Sequence, residues 1–376
     1  MIRGYEYRIY PNSKQTKLLE QMLGNARWVY NWALARRIEA YQKDKTRMSA
    51  FTLMKEVTKL KQQPEHEWLK LSVAQSLQQS IVNMEKAFTR FFREKHGFPR
   101  FKRKHGKQQT VGFPQNTKID FDANRVSVQK LGWIPARLSR SFEGKIKTAV
   151  IKKTAAGKFF VSLTVENETK PARQKLIRKA KAVGIDTGIK TFATLSDGTA
   201  IENPKHLRTS LGRLEVLQRR VSRKVKGSKN RRKAVIRLAR YHEYVANQRR
   251  EFLHKTTSRI ANGYETVVCE NLNIAGMVKN HRLAQSISDL GLGEFYRMLK
   301  YKMADRGGNY LEIGRFEPSS KMCSCGVINN KLTLADREWT CGSCGTTHQR
   351  DFLAAQNILK FGLQKQNTVG TTGSGS

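Results

Sequence analysis

The sequence has 376 residues, enough for two or three domains with hydrophobic cores. Its 71 lysines and arginines against 30 aspartates and glutamates give a formal net charge of +41, far more than solubility requires, which indicates a polyanionic partner. No run of about 18 apolar residues is present and no signal-like segment follows Met1, which favours nucleic acid over a membrane and a cytoplasmic location.

The N-terminal part is predicted to combine one strand with a helical lobe. Residues 4–10 alternate and are rich in aromatic side chains, which indicates a β-strand. Asn12 and Ser13 are candidate helix caps, and apolar residues then recur at helical spacing. Ser72 and Gln75 form a predicted capping box for a further helix. Residues 12–104 are therefore predicted to be a helical recognition lobe.

The next stretch changes to the alternating pattern of β-structure, with Asn124 and Gly157 at turns. The first strand is also β and precedes the helices. We therefore infer that residues 1–11 and 105–181 form one wedge-like β-barrel module into which the helical lobe is inserted.

From Ala182 the pattern is mixed α/β. AVGIDTG and TFATL predict a hairpin, a very basic helical stretch follows over residues 213–261, and ETVVCE predicts another strand. A helix over residues 292–306, a strand over residues 310–313, a cysteine-rich stretch and a last helix from Asp351 follow.

Three carboxylates stand where solubility does not call for an acid. Asp186 interrupts an apolar strand, Glu270 ends an apolar run, and Asp351 opens the last helix. Singly, each has an ordinary explanation as a turn acid, a solvated strand end or a helix cap. Together they can converge on one sheet edge, where they repel one another unless cations compensate. Hydrolysis of a phosphodiester uses two divalent ions about 4 Å apart, and oxygen ligands suit Mg²⁺.

The segments around these acids, GIDTGIKTFATLSDG, ENLN and RDFLAAQNI, resemble the three RuvC motifs of the TnpB family, which type V CRISPR effectors share. Similar segments cover nearly the whole chain up to about residue 365. The resemblance implies an endonuclease that binds a guide RNA made from the transposon's own end and cleaves double-stranded DNA beside a short adjacent motif. Asp186, Glu270 and Asp351 take the positions of the family's catalytic, metal-binding triad, which implies two Mg²⁺ ions.

The architecture implied is α+β and multidomain. An RNase H-like (RuvC) mixed α/β nuclease core is expected over residues 182–318 and 346–365, with a Cys₄ zinc finger inserted over residues 319–345. Residues 366–376 are polar and glycine-rich and are predicted to be a disordered tail. The expected assembly is a monomeric ribonucleoprotein in a bacterial or archaeal cytoplasm, associated with the nucleoid.

Two residues depart from the family's usual third motif, DRDxNAA. Gln349 stands where the first Asp is usual and Leu353 where Asn is usual, while Asp351 keeps the second Asp, which we take to be the ligand. The alternative function is a nuclease-inactive, RNA-guided DNA-binding repressor, although such relatives lose acidic ligands. A DDE transposase or a Holliday-junction resolvase shares the RNase H fold. Neither accounts for the helical lobe, the cysteines and the family-like segment GFPRFK (residues 97–102) together.

Four of the five cysteines form two close pairs, Cys323 with Cys325 and Cys341 with Cys344, separated by a loop of 15 residues. This spacing fits a tetrahedral zinc site better than disulfides or buried thiols. The first pair is one residue tighter than is usual in the family, so His348 is a possible substitute for Cys325. Four thiolates leave no position for water, so we expect structural Zn²⁺ that holds the Asp351 helix near the active site.

Three basic segments, residues 98–107, 219–240 and 247–255, are predicted to contact nucleic acid. Residues 219–240 contain many cations and almost no acids, which favours a phosphate track over a merely solvated face. Around residues 98–107 aromatic residues alternate with cations, and Phe98 and Phe101 fit base stacking and loop anchoring equally well. The predicted contact residues are Arg100, Phe101, Lys102, Arg231, Arg232, Lys233, Arg249, His254 and Lys255.

Overall fold

The computed structural model describes residues 1–104, 106, 108–168, 172–333 and 336–370. The chain forms two compact units, residues 1–169 and 170–376. The sequence assigned residues up to 181 to the β module, and this boundary is wrong. The segment after residue 171 joins the second unit, because the Lys175 amide donates to the Gly307 carbonyl at 2.7 Å and Gln174 Nε2 donates to Asn309 Oδ1 at 2.7 Å.

The first unit is built on a seven-stranded antiparallel sheet in the order β2-β6-β7-β1-β5-β4-β3. Its strands are β1 (Ile2–Ile9), β2 (Gln108–Phe113), β3 (Lys118–Asp120), β4 (Arg125–Val128), β5 (Gly132–Arg137), β6 (Lys145–Thr154) and β7 (Phe159–Glu166). β1 lies between β5 and β7, with Ile9 opposite Ala136 and Ile2 opposite Glu166. The predicted insertion of a helical lobe after the first strand is therefore confirmed.

The inserted lobe consists of α1 (Ser13–Asp44), α2 (Ala50–Leu60), a 3₁₀ segment (Pro64–Leu71) and α3 (Ala74–Arg93). Asn12 caps α1 as predicted, because its Oδ1 accepts from the Gln15 amide at 2.9 Å. The predicted capping box at Ser72 is wrong. Val73 is the N-cap of α3, and Ser72 Oγ instead accepts from the buried Asn25 Nδ2 at 2.9 Å, a tertiary contact that outweighs the local pattern.

The second unit contains a five-stranded sheet in the order β10-β9-β8-β11-β12. Its strands are β8 (Ala182–Thr187), β9 (Thr191–Leu195), β10 (Ala200–Glu202), β11 (Thr266–Cys269) and β12 (Asn309–Glu312). β8, β9 and β10 form an antiparallel meander, whereas β11 and β12 run parallel to β8. This order and these directions are those of an RNase H-like sheet, which confirms the predicted fold class. The three-residue β10 was not predicted.

The helices of this unit are α4 (His206–Ser222), α5 (Lys229–Gly263), α6 (Ile274–Met277), α7 (Ala284–Leu290), α8 (Leu292–Asp305) and α9 (Arg350–Gly370), and a hairpin of β13 (Glu338–Thr340) and β14 (Thr347–Gln349) precedes α9. The basic stretch predicted as one helical run is two helices. Gly227 turns the chain with φ 84°, and Ser228 Oγ caps α5 by accepting from the Arg231 amide at 3.1 Å.

Helix α9 differs from the prediction at its end and packs closely on the sheet. It continues to Gly370, so the first five residues of the predicted tail are helical, and residues 371–376 lie outside the described residues. A Cβ atom at Gly184 of β8 would overlap the Ala355 carbonyl oxygen and lie 2.7 Å from the Leu359 amide nitrogen. Glycine thus permits this close approach, and Asp351 lies one helical turn before Ala355. Among the described residues, no helix has the length and apolar character needed to cross a membrane.

Candidate active site and cysteine cluster

The first two predicted acids lie on neighbouring parallel strands. Ile185 of β8 pairs with Cys269 of β11, so the next residues, Asp186 and Glu270, stand at the same level of the sheet. Neighbouring strands are about 4.8 Å apart, which brings these two backbones side by side. The close packing of α9 on β8 brings Asp351 to the same end. The structure thus assembles the three predicted acids at one edge.

The electrostatics of Asp186 reflect this arrangement. Burial raises its pKa to about 8, and the negative charges of Glu270 and Asp351 add to the rise, whereas Arg350 opposes it. Two further carboxylates around a partly desolvated one leave negative charge that a divalent cation compensates. Because the donors are carboxylate oxygens, they fit Mg²⁺.

Glu270 and Asp351 each have a defined polar contact. The Ser319 hydroxyl donates to Glu270 Oε1 at 2.7 Å. Arg337 Nη1 lies 3.4 Å from Asp351 Oδ1 and 3.5 Å from Oδ2, in a partly exposed ion pair. Neither Ser319 nor Arg337 was singled out from the sequence, because both partners are brought in by long-range folding.

A depression of about 510 Å³ opens beside Asp351. Three cations line it, Lys190, Arg337 and Arg350, with the hydroxyl groups of Thr191 and Thr194 and the carboxylates of Glu338 and Asp351. Cations and hydroxyl groups are the side chains that bind phosphate oxygens, so this surface is suited to a nucleic-acid backbone next to the acids.

The four predicted cysteines converge in one cluster. The sulfur atoms of Cys323, Cys325, Cys341 and Cys344 all lie within 4.8 Å of one another. Cys323 Sγ is 3.5 Å from Cys344 Sγ, and Cys325 Sγ is 3.8 Å from Cys341 Sγ. A tetrahedral zinc ion with Zn–S bonds of about 2.3 Å separates its sulfur ligands by about 3.8 Å, so this cluster has the dimensions of such a site.

The environment of the second cysteine pair, Cys341 and Cys344, favours thiolates, the form that binds metal. The hydroxyl and the backbone amide of Thr346 lower the pKa of Cys344 to about 6. The backbone amides of Cys344 and Ser343 lower the pKa of Cys341.

His348 lies beside the cluster rather than in place of Cys325. Its Nε2 is 3.0 Å from Cys323 Sγ, and its ring packs on Trp339 with centroids 5.0 Å apart. With all four sulfurs already gathered, this is the position of a side chain that hydrogen-bonds a ligand sulfur. The geometry therefore favours Cys325 as the fourth ligand.

The two phenylalanines of the aromatic-basic segment, Phe98 and Phe101, differ in their contacts. Phe98 anchors the loop, because its ring packs edge-on against Phe88 and Phe91 with centroids 5.5 and 5.4 Å away. Phe101 is 55% exposed, and Arg100 beside it is exposed as well. The Lys102 backbone bonds to the Asn31 side chain, and its ammonium lies 3.9 Å from the Tyr30 ring centroid.

The predicted contacts on α5 lie in two regions of the helix. Arg231, Arg232 and Lys233 are in its first turns, where the last two are exposed. Further along, Arg249 Nη1 donates to the Ser288 carbonyl at 3.1 Å, Lys255 pairs with Glu251 at 2.7 Å, and the His254 carbonyl accepts from the buried Lys302. In the second region Arg249 thus contributes to helix packing, whereas the Lys255 side chain is exposed, as are those of Arg232 and Lys233 in the first.

Sequence reasoning missed a groove of about 390 Å³ between α4 and α5. Arginines line both of its sides, and the rings of Tyr241 and Tyr244 stack there with centroids 5.9 Å apart. Its lining residues are Arg213, Leu217, Arg220, Arg237, Arg240, Tyr241 and Tyr244. The two arginines on α4 are seven residues apart and the two on α5 are three apart, so each pair lies on one face of its helix. This helical spacing is the sequence signal that could have indicated the groove.

Three known protein families match parts of this chain. The family described as a probable transposase, OrfB of IS605, matches residues 161–281. The helix-turn-helix domain of that family matches residues 1–46, and the Cas12f1-like TNB domain matches residues 293–358.

Full-length relatives and a solved structure extend these matches. A protein of Streptomyces pristinaespiralis named "Putative RNA-guided DNA endonuclease" is 38% identical over 364 residues, covering 96% of this chain and 89% of the relative. The similarly named InsQ of Escherichia coli K12 is 32% identical, covering 96% and 92%. A cryo-EM structure of a Cas12f1–sgRNA–target DNA complex superposes with a TM-score of 0.56 at 17% identity, over 92% of this chain and 83% of that one, which supports the fold.

Proposed function

The chain belongs to the OrfB (TnpB) family of IS605 proteins, and on that premise we propose that it is an RNA-guided DNA endonuclease. In this proposal it binds a guide RNA from the transposon end and cleaves double-stranded DNA beside a short adjacent motif. Base pairing with the guide selects the target, so the protein itself reads mainly shape and phosphate charge. The high positive charge of the chain and the names of its full-length relatives support this function.

The observation that carries the nuclease function is the meeting of three carboxylates at one edge of the RNase H-like sheet. Asp186, Glu270 and Asp351 would hold two Mg²⁺ ions. Such ions, when bound, generate the attacking hydroxide and stabilise the leaving oxygen. Asp186 and Glu270 keep their spacing through the strand register, and Asp351 keeps its own through the packing of α9. The cations of the neighbouring depression would bind the phosphates that flank the scissile bond.

The cysteine cluster is proposed to hold one structural Zn²⁺, as its sulfur spacing supports. The cluster precedes α9 directly, and the β13–β14 hairpin leads into Asp351. The ion would therefore fix the start of α9 relative to the sheet. We further propose a monomeric ribonucleoprotein that acts in the cytoplasm at the nucleoid, where its DNA target lies.

The competing function, a DNA-binding repressor that does not cut, depends on Leu353, which is buried against Cys323, Trp339 and Cys341, and on Gln349. This residue is exposed on β14, and its Nε2 lies 3.5 Å from Glu338 Oε1. An aspartate there would face the Glu338 carboxylate. We take Asp351 to be the ligand and Gln349 to lie beside it, so we expect the purified ribonucleoprotein to cut guide-matched DNA in Mg²⁺. For the same reason Gln349→Asp should change the rate by no more than about 10–100-fold.

The assay uses a matched target flanked by randomised sequence, so that the adjacent motif need not be known. Gln349→Asp combined with Glu338→Gln is the control, because it adds the aspartate and removes the negative charge of Glu338 that would repel it. Binding without cleavage in the wild type, together with cleavage gained in Gln349→Asp, would establish the repressor function instead.

Nucleic-acid binding is expected to depend steeply on salt through the first turns of α5. Each phosphate neutralised on duplex DNA adds about 0.9 to the slope of log affinity against log salt. Replacing Arg231, Arg232 and Lys233 together by alanine should therefore reduce that slope by about 2–3. Titrations at several salt concentrations measure it, with Lys14, Lys17 and Lys43 replaced together as a control of equal charge. Equal slopes in the wild type and the α5 variant would mean that these side chains form a solvated face only.

A further inference from the structure

We propose that Ser319 and Asn357 are positioning residues that orient the Glu270 carboxylate and connect it to the cysteine cluster. The inference rests on the proposed function, which gives Glu270 the role of a metal ligand. Neither residue belongs to the acidic triad or to the cysteines.

The first contact acts on the carboxylate itself. Glu270 directly follows the last residue of β11, so the strand fixes its backbone and leaves its side-chain torsions free. The Ser319 hydroxyl donates to Oε1 at 2.7 Å, and Ser319 is only 5% exposed, so water competes poorly for this bond. A hydrogen bond to an ionised acceptor is stronger than a neutral one and restricts the carboxylate to one orientation. Oε2 and the remaining lone pair of Oε1 stay available to a cation.

The second contact fixes Ser319, which belongs to neither a helix nor a strand. Asn357, a buried residue of α9, donates from Nδ2 to the Ser319 carbonyl at 2.8 Å and to the Met322 carbonyl at 2.7 Å. Both hydrogens of the amide are thereby used, one at each end of the four-residue segment 319–322. Because the side chain is 4% exposed, its loss would leave two carbonyls without their donor in a largely dry environment.

These contacts join three parts of the site. Asn357 and Asp351 belong to the same helix, so the helix sets the distance between the amide that holds segment 319–322 and the third acid. Met322 directly precedes Cys323, a member of the cysteine cluster. The path from the cysteines to Glu270 therefore runs through one amide and one hydroxyl. We infer that the cluster affects the metal site by holding Ser319 in place as well as by holding α9.

The test is the metal affinity of Ser319→Ala. Residues that hydrogen-bond a metal ligand typically contribute 10–100-fold to affinity, so we expect a loss of about that size. The direct readout is Mn²⁺ binding by the full-length chain, freed of RNA in high salt and followed by electron paramagnetic resonance. The Mg²⁺ concentration for half-maximal cleavage by the ribonucleoprotein should rise in parallel.

Three variants separate positioning from general damage. Ser319→Thr keeps the hydroxyl and should retain metal affinity, and Ser320→Ala removes the neighbouring hydroxyl and should change nothing. Asn357→Asp removes the donor and should weaken Mn²⁺ binding as Ser319→Ala does. If Asn357→Asp fails to fold, Ser319→Ala with unchanged zinc content and melting temperature still decides the question.

Glu270→Ala, measured alongside, distinguishes the two levels of the hypothesis. If Glu270→Ala keeps full Mn²⁺ affinity, the proposed ligand role of Glu270 is wrong, and so is the positioning role of Ser319 and Asn357. If Glu270→Ala loses Mn²⁺ and Ser319→Ala does not, only the positioning role of Ser319 and Asn357 is overturned. Slower cleavage by Ser319→Ala at saturating Mg²⁺ with unchanged Mn²⁺ affinity also overturns it.

Discussion

Asp186→Ala, Glu270→Ala and Asp351→Ala are each expected to reduce DNA cleavage by about 10³-fold or more while guide RNA and target DNA remain bound. The three carboxylates meet at one sheet edge, where burial and mutual repulsion already raise the pKa of Asp186. Loss of one of them would weaken the proposed metal site; such sites supply several kcal/mol to the transition state, and each 1.36 kcal/mol is tenfold in rate. Binding depends on the basic surfaces and is not expected to follow.

Single-turnover cleavage and gel-shift binding of the same preparations measure the two properties. Glu265→Ala is the matched control, because Glu265 lies just before β11, at the opposite end of the strand that leads to Glu270. Its cleavage should be close to that of the wild type. Substantial cutting by any of the three triad variants would remove that residue from the catalytic site.

Loss of the cysteine cluster is the second change expected to have a large effect. We expect about one zinc ion per chain, and Cys341→Ser should lose it, because Cys341 is buried and its sulfur lies among those of the other three cysteines. The β13–β14 hairpin would then no longer hold the start of α9. A displacement of about 1 Å at reacting groups can cost about 100-fold in rate, so cleavage should fall by at least that factor.

Elemental analysis after dialysis against a mild chelator gives the zinc content. Cys269→Ala is the control, because Cys269 lies in β11 outside the cluster. Cys325→Ser should also lose zinc and His348→Gln should keep it, as the sulfur distances indicate. Zinc well below half an equivalent in folded wild-type protein would contradict the site, and full zinc in Cys325→Ser would transfer the fourth ligand to His348.

The features that the sequence predicted were those marked by local patterns. The alternation around residues 4–10 identified β1, the capping candidate Asn12 begins α1, and the resemblance of the three motifs implied the RNase H-like topology. The three acids were recognisable because Asp186 interrupts an apolar strand, Glu270 ends an apolar run and Asp351 opens a helix. The cysteine spacing likewise predicted that four sulfurs would gather.

The features that the sequence did not predict depend on partners distant in the chain. Ser72 has a capping pattern, yet its hydroxyl bonds to Asn25, which no local pattern reveals. Residues 172–181 follow the β module in sequence but bond to Gly307 and Asn309. The hydroxyl of Ser319 gains its importance only when β11 and α9 are packed together. Such contacts form only in the folded chain, so no local sequence pattern predicts them.

The central position of β1 has a consequence for how the protein is made. Both of its neighbours, β5 and β7, are synthesised after the whole helical lobe, and Ile2 pairs with Glu166. At about 5–20 residues per second, the first strand leaves the ribosome roughly 8–30 s before β7 does. During that time α1–α3 can form from local contacts, whereas β1 has no partner strand until β5 is made and lacks its longer pairing, with β7, throughout. Contacts so distant in sequence also slow folding. A nascent chain arrested before residue 159 would therefore expose an unpaired strand edge and be prone to aggregate.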